Sequence, residues 1–142
     1  MPAVAAGSAV TPSTSSAPFR EGLFREGPDG PVLLGGRCTR CGRVSFPASD
    51  RCLQCRGQDI EAVELGRDAE LLCATTVHMP NRHFPPGHAV GFVALPPGVR
   101  LFTQLRPVDG KPFRSGMPMQ LEIAPMWRED DTDVLAYRFV PA

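Results

Sequence analysis

CTRCGRVSFPASDRCLQC, residues 38–55, sets four cysteines in two C-x-x-C pairs, Cys38 with Cys41 and Cys52 with Cys55. Two-residue spacing aims both sulfurs of a pair at a common point, as a tetrahedral metal site requires. A glycine follows each pair, Gly42 directly and Gly57 one residue on, where a tight turn lets backbone N–H groups point at thiolate sulfur. Two such turns facing each other make a zinc ribbon, expected here over residues 35–60 with one structural zinc per chain on Cys38, Cys41, Cys52 and Cys55. A rubredoxin-like iron site uses the same ligands and is the second reading, and a pair of disulfides is the third. A fully cysteine-ligated zinc has no open coordination position, so it neither polarises a substrate nor activates water. Its task is to hold together a segment too short to bury enough apolar surface by itself.

The whole chain has 142 residues and 42% hydrophobic composition, which suits one ordinary domain or two small ones. No apolar run approaches the roughly 20 residues that span a bilayer. The N-terminus, MPAVAAGSAVTPSTSSAP, lacks a basic start and a sustained apolar block, so it is a poor signal peptide and a cytoplasmic location without a membrane partner is expected. Acidic and basic residues balance at 15 each, and Lys111 is the only lysine. A balanced chain has no general field for drawing in nucleic acid. Locally, however, Arg37, Arg40, Arg43, Arg51 and Arg56 crowd the ribbon, opposed between residues 37 and 56 only by Asp50. They read either as solvated cations beside an anionic thiolate centre or as contacts to phosphates or to an acidic partner.

Residues 1–17 are nearly all small or polar and are expected to form a disordered tail. FREG then occurs twice, at Phe19–Gly22 and Phe24–Gly27. Phe19 and Leu23 lie four apart, so one helical turn would put them on one face with Phe24 beside them. The spacing predicts a short docking helix within residues 18–34, ended by Gly27, Pro28 and Gly30.

Beyond the ribbon, residues 61–142 turn to period two. ELLCATTVHM alternates as a strand buried on much of both faces would, and AVGFVAL and VRLFTQL form a hairpin across Pro96-Pro97-Gly98. Two further strands run through Met119–Ile123 and Leu135–Phe139. Five short strands without helices are best closed into a barrel, because closure removes exposed edges. The expected fold is mainly β: a short N-terminal helix, a rubredoxin-like zinc ribbon and a C-terminal five-stranded OB-fold barrel, with an SH3-like barrel as rival. Ribbon and barrel are expected to have separate cores.

No complete catalytic constellation stands in the sequence: there is no G-x-S-x-G elbow, no H-E-x-x-H and no glycine-rich phosphate loop. Cys73, the one spare thiol, reads as strand packing. His78, His83 and His88 recur in a proline-interrupted loop, where regular spacing carries little meaning. Asp130, Asp131 and Asp133 read as a polar turn between the last two strands.

The order of parts resembles the acyl-CoA-associated zinc-ribbon/OB-fold proteins, long catalogued as a domain of unknown function. GGRCTRCGRVSFP, CLQC, ATTVHMP, GFVALPPGVRLFTQL and SGMPMQLEI carry the likeness over residues from about 19 to 140. The chain departs from the family pattern at Arg20, Ala48 and Ser49, which bear on the helix and on the surroundings of the ribbon rather than on the ligands. The resemblance implies a non-catalytic accessory subunit with a thiolase-like partner, sharing an acyl-CoA substrate with it. It also offers Arg37, Arg40, Arg43, His78, Arg82, His83 and Phe84 as acyl-CoA or partner contacts, and Phe19, Leu23 and Phe24 as the dock. The alternative is a nucleic-acid-binding zinc-ribbon/OB module, against which residues 59–142 set eleven acids to eight bases.

Overall fold

The computed structural model describes residues 15–142 apart from Pro97. The expected tail over residues 1–17 lies outside the described residues as far as residue 14, and its last residues stand in a strand. The described residues divide into two compact units, one of residues 22–122 with 137–142, the other of residues 15–21 with 123–136.

In the larger unit, β2 (Phe24–Gly27) and β3 (Gly30–Cys38) form a hairpin in which Phe24 faces Leu33 and Gly27 faces Gly30. The second half of β3 runs between β4 (Val44–Ser45) and β5 (Ile60–Glu64), with Gly36 opposite both Ser45 and Ala62. Only glycine fits there: a Cβ on Gly36 would stand 2.8 Å from Ile60 Cγ2 and 3.0 Å from Ala48 Cβ. Leu33 is fully buried, and Leu65 donates its N–H to the Leu33 carbonyl as the chain leaves the ribbon.

The barrel follows. β6 (Asp68–Val77), β7 (His88–Leu95) and β8 (Val99–Leu105) are successive antiparallel neighbours. β9 (Pro118–Glu129) pairs with β6, while the end of β10 (Thr132–Pro141) lies parallel to β8 through Arg138 and Phe139. β9 and β10 also pair with each other, so the five strands close on themselves. Leu71, Val93, Leu95, Leu101, Met119 and Phe139 fill the inside, as the period-two pattern requires. At Gly91 a Cβ would meet the Cys73 carbonyl oxygen at 2.2 Å, so β7 and β6 approach closely at that point.

In the smaller unit, β1 (Ser15–Pro18) runs parallel to the start of β10, and Phe19 N–H extends the ladder to the Leu135 carbonyl at 3.0 Å. The β9–β10 hairpin turns on Asp130 and Asp131, with φ of 49° and 67°, a conformation that aspartate tolerates in tight hairpin turns. Arg128 holds Asp133 across this hairpin at 3.1 Å.

Two expectations need correction. No helix occurs among the described residues, so no helical turn brings Phe19, Leu23 and Phe24 onto one face. Gly22 takes φ 84°, which breaks a helix after Glu21, and the Leu23 carbonyl accepts the Leu34 N–H at 2.8 Å. One isolated helical turn costs nucleation with little return, whereas β3 supplies partners at once. Leu23 is consequently buried, Phe24 half-buried and Phe19 exposed. The second correction concerns Cys73, which is exposed together with Ala74, Thr75 and Thr76. The pairing register of β6 shifts between Leu71 and Cys73, and that irregularity turns the outer half of the strand out of the core.

Candidate metal centre and its surroundings

The ribbon is built from two matching turns. In the first, Gly42 N–H donates to the Cys38 carbonyl at 2.8 Å and Cys38 N–H donates to the Arg43 carbonyl at 2.9 Å. In the second, Arg56 N–H donates to the Cys52 carbonyl at 2.9 Å and Cys52 N–H donates to the Gly57 carbonyl at 2.8 Å. The left-handed position is therefore Gly42 in one turn and Arg56 in the other, with φ of 81° and 65°. Gly57, which the sequence offers as the counterpart of Gly42, serves another purpose. A Cβ there would stand 2.9 Å from Arg40 Cδ and 3.3 Å from Cys55 Sγ, so its bareness lets Arg40 lie across the second turn.

These turns bring the Sγ atoms of Cys38, Cys41, Cys52 and Cys55 within 4.8 Å of one another. The cross-pair contacts, Cys38 with Cys55 and Cys41 with Cys52, are each 3.5 Å. A tetrahedron of thiolates around zinc, with bonds of about 2.3 Å, has edges of roughly 3.8 Å, so the donor set fits the ion without rearrangement of the turns. Gln54 and Cys55 N–H groups point at Cys52 Sγ at 3.4 and 3.5 Å. The Cys55 N–H and then the Gln54 N–H stabilise the thiolate and hold Cys52 down at about 6. Cys38 is likewise lowered, chiefly by the Cys41 N–H. At Cys41 the Arg43 N–H favours the thiolate, but the Cys52 sulfur, burial and the other two sulfurs outweigh it and push the thiol up to about 11. When bound, zinc supplies the positive charge that lets all four sulfurs be thiolates together. With four protein ligands the centre is structural.

The arginines around it have different fates. Arg37 is tied to Glu61 through Nε at 2.9 Å and the neighbouring Nη2 at 2.7 Å. Arg40 lies over Gly57, as above. Arg43 opens into a seam between the ribbon and the β7–β8 turn, where it lines the same cleft as Arg100. His78, Arg82, His83 and Phe84 sit in the β6–β7 loop, which is organised by His83 N–H on Asn81 Oδ1 at 3.0 Å, by His88 Nδ1 against the Pro85 carbonyl at 2.9 Å and by the Phe84–His88 ring pair. That loop adjoins the start of β7, whereas the turn beside the ribbon follows its end. Eight strand residues, at about 3.3 Å each, put roughly 25 Å between the two regions. The structure thus gathers the four cysteines but sets Arg43 and the histidine loop at opposite ends of the barrel hairpin.

Sequence reasoning missed two polar features. Arg100 is exposed in a strand, and such an arginine carries no signal until the turn before it is seen beside the ribbon. Glu122 binds Arg106 in a bidentate pair, at 2.9 Å through Nε and 3.0 Å through Nη2, and also accepts from Arg138 Nε. Partial burial tends to raise this carboxyl, but the two guanidiniums prevail and hold it below its ordinary value.

Paired cysteine turns joined to a closed five-stranded barrel define a zinc-ribbon/OB-fold protein. The chain matches the ChsH2 rubredoxin-like zinc ribbon domain over residues 25–61 and the ChsH2 C-terminal OB-fold domain over residues 62–124, and it belongs to this acyl-CoA-associated family. Benzoylsuccinyl-CoA thiolase subunit BbsA of Thauera aromatica is 28% identical over 124 residues, covering 85% of each chain. A DUF35 domain-containing scaffold protein of Methanocaldococcus jannaschii is 29% identical over 116 residues, covering 77% of this chain and 81% of the relative. Among solved structures, the Ltp2-ChsH2(DUF35) aldolase shares the fold with a TM-score of 0.64 at 24% identity, over 78% of this chain and 84% of that one. A DUF35-family protein of unknown function from Sulfolobus solfataricus gives 0.52 at 18% identity, over 78% and 76% of the two chains. No helix among the described residues is long and apolar enough to cross a membrane.

Proposed function

We propose that this chain is a non-catalytic accessory subunit of a thiolase-type acyl-CoA enzyme, helping to form or shield the acyl-CoA site of its partner. The observation that carries the reading is the likeness to a thiolase subunit along 85% of both chains, on a fold whose metal centre has no position for substrate. In this reading Cys38, Cys41, Cys52 and Cys55 hold the structural zinc that shapes the ribbon. The ribbon arginines and the loop from His78 to Phe84 are two separate contact regions, one for substrate phosphates and one for the partner. The cytoplasm, where thiols stay reduced, suits the ligand cysteines.

Co-expression with a thiolase-superfamily enzyme encoded beside it tests the reading. The two chains should co-purify, and acyl-CoA turnover should require both. A partner fully active alone, with kinetics unaltered by this chain, would overturn it.

One observation speaks for the nucleic-acid alternative. Phe92 and Phe102 face each other across β7 and β8 on the outside of the barrel, edge to face with centroids 5.3 Å apart, and both are exposed. These are the second and third barrel strands, the face on which OB-folds stack bases. Fluorescence titration with single-stranded DNA at low salt separates the readings, and micromolar binding abolished by F102A would favour this one.

A further inference from the structure

Directly opposed residues of an antiparallel ladder point to the same side of the sheet. Across β6, β7 and β8 one row is Leu71, Val93 and Leu101, all buried in the barrel. The rows on either side of it therefore point outward: Glu70, Ala94 and Arg100 on one side, Cys73, Phe92 and Phe102 on the other. The second row is apolar and open to solvent, with Phe102 56% and Phe92 43% exposed although their rings meet.

The first row carries the charge. Glu70 and Arg100 stand on the two flanking strands, about 10 Å apart by strand spacing. Both are exposed, and neither forms an ion pair among the described residues. Asp68, two residues from Glu70 on the same strand, adds to the acidic flank. The two acids border a cleft of about 330 Å³ whose other walls are mostly apolar, from Ala94, Leu95 and Pro96, a seat for a guanidinium. An acidic flank beside the aromatic pair opposes a phosphate backbone. An acid on one flank and a base on the other, with an apolar middle, is instead a pattern complementary to itself under a two-fold rotation.

We infer that this face docks a second copy of the same chain, sheet against sheet, about a two-fold axis running along β7. That rotation exchanges β6 with β8 and keeps each row level. Phe92 then lies over its own counterpart and Phe102 over Cys73 of the second copy, while Glu70 meets Arg100 of the second copy at both flanks. An axis across the strands would instead set β6 on β6 and leave both charges unmatched. Facing sheets pack about 10 Å apart with strands turned by roughly 30°, which displaces a row two residues from the centre by only a few ångströms. Glutamate and arginine are long enough to span that gap. Three strands of eight residues make a patch of roughly 14 Å by 25 Å, small beside the about 800 Å² per partner of a standard interface. The dimer is accordingly weak, with a dissociation constant on the order of 100 μM. The inference does not depend on the accessory-subunit reading.

Sedimentation velocity of the zinc-loaded full chain, over a concentration series spanning that constant, should show a reversible monomer–dimer equilibrium. Labelling of Cys73 by a thiol reagent should slow across the same series as the second copy covers it. Glu70→Arg and Arg100→Glu should each weaken self-association by about tenfold or more, since like charges then meet at both flanks. Mixing these two variants should restore the dimer, because every flank then sets an arginine against a glutamate. Phe102→Ala should weaken it by about tenfold. Leu53→Ser, which removes the exposed apolar side chain of the ribbon, should leave it unchanged. Circular dichroism checks that each variant is folded. A chain that stays monomeric at millimolar concentration, no rescue on mixing, or loss of the dimer in Leu53→Ser would overturn the inference. A monomer that binds single-stranded DNA through Phe102 would overturn it in favour of the nucleic-acid reading.

Discussion

The ring of Phe46, in the ribbon, meets Tyr137, near the end of β10, edge to face with centroids 5.5 Å apart and planes at 83°. The contact joins two parts that the sequence presents as having separate cores, and both residues belong to one compact unit. Phe46→Ala and Tyr137→Ala should each lower stability, and a double-mutant cycle in urea should give a coupling of about 1 kcal/mol. A coupling near zero would mean that ribbon and barrel unfold independently.

The metal centre gives a second expectation. Elemental analysis should find one zinc per chain, and Cys41→Ser should lose it. Because the ribbon packs within the same unit as the barrel, loss of zinc should also lower the barrel's melting temperature instead of leaving it untouched. A red protein with iron absorption, or unaltered metal content in Cys41→Ser, would contradict the assignment of Cys38, Cys41, Cys52 and Cys55.

The Glu122 junction yields a pH dependence with a definite sign. Its carboxyl is held below the ordinary value in the folded protein by Arg106 and Arg138, despite partial burial. The stabilisation is therefore complete above the unfolded value, about 4.3, and is lost as pH falls through the lower folded value. Glu122→Gln should cost about 1 kcal/mol at pH 7, since the pairs are partly exposed, and the gap to the unaltered protein should close below pH 4. Denaturant midpoints measured from pH 3 to 7 check this. A gap that stays constant with pH would show that packing, not charge, is lost.

Cys73 should behave as a free surface thiol. It is exposed opposite Phe92, whereas the other four cysteines share the metal centre. With zinc bound, a thiol reagent should label one site per chain quickly, and Cys73→Ser should abolish that labelling while changing stability by less than about 0.5 kcal/mol. Rapid labelling of more than one site would mean that the metal does not protect its ligands.

The sequence made some of this plain and hid the rest for identifiable reasons. The ribbon was legible because C-x-x-C spacing is a local constraint that few other structures satisfy. The barrel was legible because its inward residues alternate, from Leu71 and Val93 to Phe139. The outward turn of Cys73 was hidden, since residues 71–77 mix small, polar and apolar side chains on both faces and a register shift leaves no mark in composition. The absence of a helix over Phe19 and Leu23 was hidden, because four-residue spacing between two apolar residues is also what a chain shows when it turns at a glycine between two strands, and Gly22 decides that only through its backbone. The seam at Arg43 and Arg100 is non-local, joining positions more than fifty residues apart, and nothing in a single sequence pairs them.

The separation of the seam from the histidine loop permits a test of how the complex would work. Arg43 lies beside the turn that follows β7, and Arg82 lies in the loop that precedes it, roughly 25 Å away by the rise of the strand. If the seam holds substrate phosphates and the loop meets the partner enzyme, the two residues touch different molecules and share no contact. In the assembled complex Arg43→Ala should raise KM for acyl-CoA with little change in subunit affinity, and Arg82→Ala should do the reverse. Sites so far apart act independently, so the double variant should show the sum of the two single effects to within about 0.5 kcal/mol. A coupling above about 1 kcal/mol in acyl-CoA kinetics would require one ligand to span both ends of the hairpin, and the division of labour between ribbon and loop would then be wrong.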